Sequence, residues 1–160
     1  MILTKSVRTF LPFALAVSIA AAVGGSLTEM SVHTWYPRLI KPSWTPPDSI
    51  FGPVWMVLYA AMALAAWLIY RKEGWQRAQG PLTLWGIQLI LNAFWPGCFF
   101  ALRNPRLGTL EIAALLIMVL ATTWAFYRRD KTAGFLMLPY CVWGTYATAL
   151  TFTIWRLNLR

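Results

Sequence analysis

The sequence predicts an all-α integral membrane protein, a single-domain bundle of five transmembrane helices over residues 1–160. Hydrophobic residues make up 59% of the chain and charged residues only 12%, with a mean hydropathy of +0.56. A soluble domain carries about twice that share of charge. The net charge is +9, but the 14 lysines and arginines fall in short gaps between apolar runs. That pattern is typical of basic residues that flank membrane helices, and it excludes a nucleic-acid-binding surface.

Five apolar stretches are each long enough to cross a bilayer as a helix, which takes about 20 residues. They cover residues 9–28, 49–70, 80–102, 107–127 and 133–155, and Glu111 is the one charged residue inside them. Their continuous apolar character favours helices over the alternating strands of an outer-membrane barrel. We therefore expect a multi-pass helical protein of a cytoplasmic membrane rather than an outer membrane.

The first span has two interpretations. Lys5 and Arg8 precede an apolar run that ends in three consecutive alanines, as a cleaved signal peptide would. The alternative is a retained helix, because Ala16, Ala20 and Gly24 recur every four residues and allow close helix packing. The small-residue spacing favours the retained helix.

The segment between the first two spans, residues 29–48, is predicted to be a stiff lid loop. It contains four prolines, each with a fixed φ, together with Trp35 and Trp44. Long loops of this kind often cover a functional site. The alternative is an interfacial loop whose tryptophans lie at the level of the lipid headgroups.

The distribution of basic residues predicts the orientation of the chain in the membrane. One side of the predicted bundle carries eight and the other carries six: Lys5, Arg8, Arg71, Lys72, Arg77, Arg128, Arg129 and Lys131, against Arg38, Lys41, Arg103, Arg106, Arg156 and Arg160. Positive residues favour the cytoplasmic side, so we expect the N-terminus there.

A specific motif runs through the predicted lid and into the second span. Residues 35–47 read WYPRLIKPSWTPP, and Phe51, Trp55 and Tyr59 follow at helical spacing. Residues in the third and fifth spans match in the same order: Gln88, Asn92, Trp95, Leu138, Pro139, Tyr140, Trp143 and Ala147. The whole chain resembles the tryptophan-rich sensory protein and translocator protein (peripheral benzodiazepine receptor) family, TspO/MBR, in its bacterial form. Thr151 departs from the resemblance, because the family usually has asparagine there.

The resemblance implies a five-helix membrane protein, often a homodimer, with a pocket that opens toward the first loop. It implies a porphyrin ligand, protoporphyrin IX or haem, with no required cofactor and no nucleic-acid partner. The implied role is control of tetrapyrrole levels, including light-dependent oxidative degradation of protoporphyrin. The alternatives are a transporter of tetrapyrroles or small amphiphiles and a ligand-responsive stress sensor without enzymatic activity.

Aromatic residues recur at three- and four-residue spacing on the second and fifth spans, so they share helix faces that could sandwich a flat macrocycle. Together with the resemblance, this spacing predicts a ligand-binding set: Trp35, Trp44, Phe51, Trp55, Tyr59, Leu91, Asn92, Trp95, Phe99, Tyr140, Trp143, Ala147 and Leu150. Trp55 and Trp143 are the catalytic candidates if the protein is an enzyme, because indole is easily oxidised. Ordinary aromatic packing between helices is the competing interpretation for any one of them.

Two amides and one carboxyl group lie within the predicted spans. Gln88 and Asn92 are four residues apart, and we expect hydrogen bonds to neighbouring helices, with ligand contact as the alternative. Glu111 follows Arg103 and Arg106, so pairing with an arginine is expected, and a proton-coupling role is the alternative.

The remaining candidates for metal or nucleophilic chemistry are few. His33 is the only histidine and lies in the predicted loop, while Cys98 and Cys141 fall in different spans without metal-ligand spacing. We therefore predict no metal site, and we interpret both cysteines as small core residues.

Overall fold

The computed structural model describes residues 2–159, with side chains from residue 7. Four α-helices account for most of this range: α1 (Ile2–Glu29), α2 (Asp48–Pro96), α3 (Pro105–Arg129) and α4 (Lys131–Leu157). A 3-10 turn covers Tyr36–Arg38 and a π-helix covers Gly97–Ala101. No strand occurs within residues 2–159, which confirms the all-helical prediction. Four helical stretches are long and apolar enough to cross a membrane.

The 49-residue helix α2 folds back on itself at Gly74. Gly74 has φ 70° and ψ 168°, a backbone conformation that favours glycine. The phenol of Tyr59 donates a hydrogen bond to Asn92, 33 residues further along the same element. The two segments on either side of Gly74 therefore run antiparallel.

The predicted connection over residues 71–79 is wrong in its length, because only Gly74 leaves the helical conformation. The residues around Gly74 are mostly arginine, lysine, glutamate, glutamine and alanine, which favour helix despite their polarity. Charge marks where the chain leaves the apolar region and does not mark where the helix ends.

The predicted third span, residues 80–102, is also not one regular helix. Helix α2 ends at Pro96, and the π-helix Gly97–Ala101 follows directly. Proline removes a backbone donor and disturbs the turn around it. π-Helical segments of this kind are frequent at functional sites.

Short connections join the last two helices. Asn104 caps α3 by accepting a hydrogen bond from the Leu107 amide at 3.0 Å. Asp130 alone separates α3 from α4, and its carboxylate accepts from the Ala133 amide at 3.0 Å. Both caps satisfy amides at helix starts that would otherwise lack a partner.

The bundle has two distinct ends. At the turn end, the fold-back near Gly74 meets the α3–α4 connection, where Arg129 contacts Glu73 and Lys72 contacts Asp130. At the loop end, residues 30–47 lie against the π-helix, and Ser31 donates to the Phe100 carbonyl at 2.7 Å. Lys72 and the Ala133 amide hold the pKa of Asp130 below its usual range, with the amide contributing most.

Small residues allow the helices to approach closely. Ala63, Ala65 and Ala66 of α2 are fully or almost fully buried. On α1, Ala20 is buried, and a Cβ added at Gly24 would lie 3.5 Å from Pro96. The predicted small-residue face of α1 therefore packs against α2.

Candidate functional site

A small apolar cavity lies between α2, α3 and α4. It has a volume of about 30 Å³ and is lined by Phe51, Trp55, Asn92, Trp95, Ile112, Leu115, Leu116, Val119, Tyr140, Trp143, Gly144 and Ala147. Both segments of α2 contribute to the wall, so the fold-back at Gly74 is what assembles this site.

Seven of the thirteen sequence-predicted ligand residues line this cavity: Phe51, Trp55, Asn92, Trp95, Tyr140, Trp143 and Ala147. Tyr59 lies behind the wall, bonded to Asn92, and Leu91 packs against the main core. The other four predicted residues, Trp35, Trp44, Phe99 and Leu150, lie outside the cavity toward the loop end.

Helix α3 supplies one wall of the cavity that the sequence analysis did not identify. Ile112, Leu115, Leu116 and Val119 recur at three- and four-residue spacing on one face of α3. The spacing itself is a signal, but aliphatic residues at this spacing are equally typical of a helix face in contact with lipid. Gly144 of α4 was also missed, and it brings the α4 backbone to the cavity surface.

A hydrogen-bonded chain, the Tyr59–Asn92–Tyr140 bridge, joins two residues of the cavity lining, Asn92 and Tyr140, to Tyr59 outside it. Tyr59 Oη donates to Asn92 Oδ1, and Asn92 Nδ2 donates to Tyr140 Oη, each at 2.5 Å. Asn92 and Tyr140 are buried. The predicted interhelical hydrogen bonding of Asn92 is therefore confirmed, and it links both segments of α2 to α4.

The aromatic rings around the cavity meet mostly edge to face. Phe51 and Trp143 have ring centroids 5.6 Å apart at 75°, and Trp55 and Tyr140 are 6.0 Å apart at 73°. Edge-to-face pairs hold each ring in a fixed orientation. Trp55 of α2 and Trp143 of α4 therefore each line the cavity in an edge-to-face pair with a ring of the other helix.

Two buried polar groups near the cavity have no hydrogen-bond partner among the described residues. One is the indole N–H of Trp95, whose ring stacks on Phe99 at 5.5 Å and 21°. The other is the carboxyl group of Glu111, with both oxygens buried. Buried polar atoms in proteins usually have a partner, so both groups need an explanation.

The predicted pairing of Glu111 with an arginine is wrong. Within residues 7–159, neither Arg103 nor Arg106 forms an ion pair with it. Glu111 lies four residues before the cavity-lining Leu115, so the two share a helix face that is turned toward the bundle interior. Cys98 and Tyr140 are the titratable groups within electrostatic range of Glu111.

Three other residues of the spans that the sequence analysis singled out, Gln88, Thr151 and Cys141, each have at least one partner within the protein. Gln88 Nε2 lies 3.6 Å from the sulfur of Met62, while its Oε1 has no partner. Thr151, where the resemblance departs, is buried and donates to the Ala147 carbonyl in its own helix at 2.8 Å. The two cysteines are free and half-buried rather than core residues, and Cys141 lies 3.1 Å from the Thr123 hydroxyl.

Residues 30–47 are fastened over the loop end by contacts with α4. Asn158 exchanges two hydrogen bonds with the Ile40 backbone, at 3.0 and 2.9 Å. Tyr146 donates to the Trp44 carbonyl at 2.8 Å, and the two rings are 5.6 Å apart. Since the Tyr146 ring also contacts Trp143, this contact couples the segment to the cavity wall.

Tyr36 anchors the same segment to the π-helix. Its ring packs against Phe99 and Phe100, and the Lys41 ammonium lies 4.2 Å from the ring centroid. Burial, with smaller effects from Asp48 and Tyr146, raises the pKa of Tyr36 to about 12. The phenol therefore stays neutral in its apolar surroundings.

The helices and the site together define an integral membrane protein with an aromatic-walled cavity between its helices and a segment, residues 30–47, fastened at its loop end. The TspO/MBR family model matches residues 12–156, and the chain belongs to the TspO/MBR family. It is similar to the tryptophan-rich protein TspO of Chlorobaculum tepidum, 36% identical over 94% of this chain and 98% of the relative.

Two further relatives show the same extent of similarity. The translocator protein of Homo sapiens is 36% identical, over 91% of this chain and 88% of its own length. The tryptophan-rich sensory protein of Cereibacter sphaeroides is 36% identical, over 93% of this chain and 90% of its own length. The similarity therefore extends across the whole helical domain.

Proposed function

We propose that this protein binds porphyrins within the membrane and thereby regulates tetrapyrrole levels, with light-dependent oxidative degradation of protoporphyrin as its activity. One observation carries the proposal: the cavity between Trp55 and Trp143 has aromatic walls and an unpartnered donor, the Trp95 indole N–H. Aromatic faces suit a flat macrocycle, and a free donor suits a pyrrole nitrogen or a propionate oxygen. Membership of the TspO/MBR family supports the same ligand class.

Binding requires the cavity to open. Its volume of about 30 Å³ compares with roughly 300–1,000 Å³ for sites that hold drug-sized ligands. In this proposal the segment 30–47 is the part that moves. The contacts that must break for it to move are the side-chain hydrogen bonds of Tyr146 and Asn158. In this proposal the segment acts as a lid whose release lets the aromatic side chains separate.

The indoles supply the chemistry in the proposed degradation. An excited porphyrin transfers energy to oxygen, and the singlet oxygen formed attacks the macrocycle. A neighbouring indole can instead donate an electron to the excited pigment. Trp55 and Trp143 line the cavity together with Trp95, and we assign the electron-donor role to Trp55 and Trp143.

The test is titration of the purified protein with protoporphyrin IX in darkness and in light, following tryptophan fluorescence and pigment absorbance. Trp55→Phe and Trp143→Phe each keep a flat apolar ring, so binding should weaken by only about 1 kcal/mol. Light-dependent pigment loss should fall much further, because phenylalanine is harder to oxidise.

Trp75→Phe is the matched control, since Trp75 is 60% exposed and lies near the fold-back at the turn end. Equal loss of binding and photodegradation in the cavity variants would leave binding as the only function. Absence of saturable quenching in both detergent and bilayers would refute porphyrin binding itself.

The same proposal includes five membrane crossings and a homodimer. At 1.5 Å per residue, the segment of α2 before Gly74 is about 39 Å long and the segment after it about 33 Å, each enough for one crossing of a core about 30 Å thick. The turn end then faces the cytoplasm. Cross-linking in bilayers tests the dimer, and cysteine accessibility from either side tests the crossings.

A further inference from the structure

A second, separate groove lies between α3 and α4 at the turn end. It has a volume of about 290 Å³ and is lined by Leu120, Thr123, Trp124, Tyr127, Gly134, Phe135, Leu138 and Cys141. None of these residues lines the aromatic cavity. The groove opens outward, because Trp124 is 67% and Phe135 56% exposed.

Gly134 forms the floor of this α3–α4 groove. A Cβ added there would lie 2.5 Å from the Tyr127 Cβ, so the two backbones touch at this point. The larger side chains on either side then form walls around the contact. The groove is therefore a fixed product of helix packing, held by the one-residue link at Asp130.

Each wall of the groove ends in a cation at the same edge. On α3, Trp124 and Arg128 are four residues apart, and the Arg128 guanidinium lies 5.8 Å from the Trp124 ring centroid. On α4, Lys131 and Phe135 are also four residues apart, so they share one helix face. Because α3 ends at Arg129 and α4 begins at Lys131, both cations lie at the end of the groove where the one-residue link joins the two helices.

These two cations are not neutralised by the protein. The acidic groups of the turn end are already engaged: Glu73 contacts Arg129, and Asp130 contacts Lys72. Among the described residues, Arg128 and Lys131 form no ion pair. An apolar groove on a membrane helix pair thus has an uncompensated double positive charge at its mouth.

We propose that the α3–α4 groove binds one anionic phospholipid, with an acyl chain along the apolar walls and the phosphate between Arg128 and Lys131. The charge of the mouth selects an anionic headgroup over a zwitterionic one, because basic pockets between membrane helices bind such headgroups. The apolar lining of the groove fits an acyl chain, which inorganic phosphate lacks.

The experiment titrates the full-length protein with phosphatidylglycerol or phosphatidylcholine and counts the retained lipid by native mass spectrometry. We expect one tightly retained phosphatidylglycerol per chain and weaker retention of phosphatidylcholine. Arg128→Gln with Lys131→Gln should weaken phosphatidylglycerol retention about 25-fold, at about fivefold per cation. The matched control is Arg103→Gln with Arg106→Gln, at the opposite end of α3, which should change nothing.

A second measurement tests where the lipid lies. Brominated phosphatidylglycerol in nanodiscs should quench a fluorescence component that disappears in Trp124→Phe, and excess inorganic phosphate should not relieve the quenching. Equal retention of both lipids, an unaffected double variant, or relief by phosphate would overturn the proposal. Absence of Trp124 quenching would also overturn it, since the groove would then be covered by something else, such as a second copy of the chain.

Discussion

Replacing Asn92 by leucine should destabilise the protein by breaking the Tyr59–Asn92–Tyr140 bridge. Asn92 provides both hydrogen bonds of the bridge, and it is only 3% exposed. Leucine has a similar size but provides neither bond. Interhelical hydrogen bonds in membrane proteins average about 0.6 kcal/mol and reach about 1.7 kcal/mol, so loss of both should cost about 1–3 kcal/mol.

The measurement is the free energy of unfolding in mixed detergent micelles, followed by tryptophan fluorescence. The control is the triple variant Asn92→Leu, Tyr59→Phe and Tyr140→Phe, which removes the unsatisfied hydroxyls along with the amide. Replacing all the partners by apolar groups should recover most of the lost stability. A triple variant less stable than Asn92→Leu would refute the reasoning, because the hydroxyls would then have a stabilising role outside the bridge.

Three further outcomes follow from the packing and the charges. Glu111→Leu should raise the free energy of unfolding by about 1–3 kcal/mol, since it removes a buried carboxyl group that has no hydrogen-bond partner among the described residues. A loss of stability would instead show that the carboxyl group has a stabilising partner. Gly134→Ala should destabilise by about 1–3 kcal/mol in the same assay because its Cβ has no room, while Gly25→Ala, with nothing within 4 Å, should not. Because the pKa of Asp130 is lowered in the folded state, its ionised carboxylate stabilises the protein above the usual aspartate range, and this contribution is lost as pH falls through the lowered pKa. Asp130→Asn should therefore show a smaller acid-induced loss of stability than the wild type, and an identical pH profile would contradict the assignment.

The all-helical class could be predicted because it depends on local composition. The fold-back at Gly74 was harder, because the polar residues around it are good helix formers and the break is a single residue. The π-helix after Pro96 was missed for a related reason: proline signals a disturbance but does not specify which backbone geometry replaces the α-helix.

The cavity could be predicted only on its aromatic walls. Trp55 and Trp143 stand out by residue type and spacing, whereas Ile112 and Val119 of α3 look the same as lipid-facing residues. Trp44 could not be placed from the sequence, since its position depends on contacts with Tyr146, 102 residues away. The sequence shows which residues share a helix face. How distant helices are rotated relative to one another depends on their packing.

The fold-back of α2 also bears on how the chain enters the bilayer. Gln88 and Asn92 are costly to expose to lipid, yet Met62 and Tyr59, their partners, precede them in the same element. During synthesis these partners are available before α3 and α4 exist. The α2 hairpin can thus insert as a unit with its amides already shielded, and only Tyr140 of the bridge must wait for the last helix.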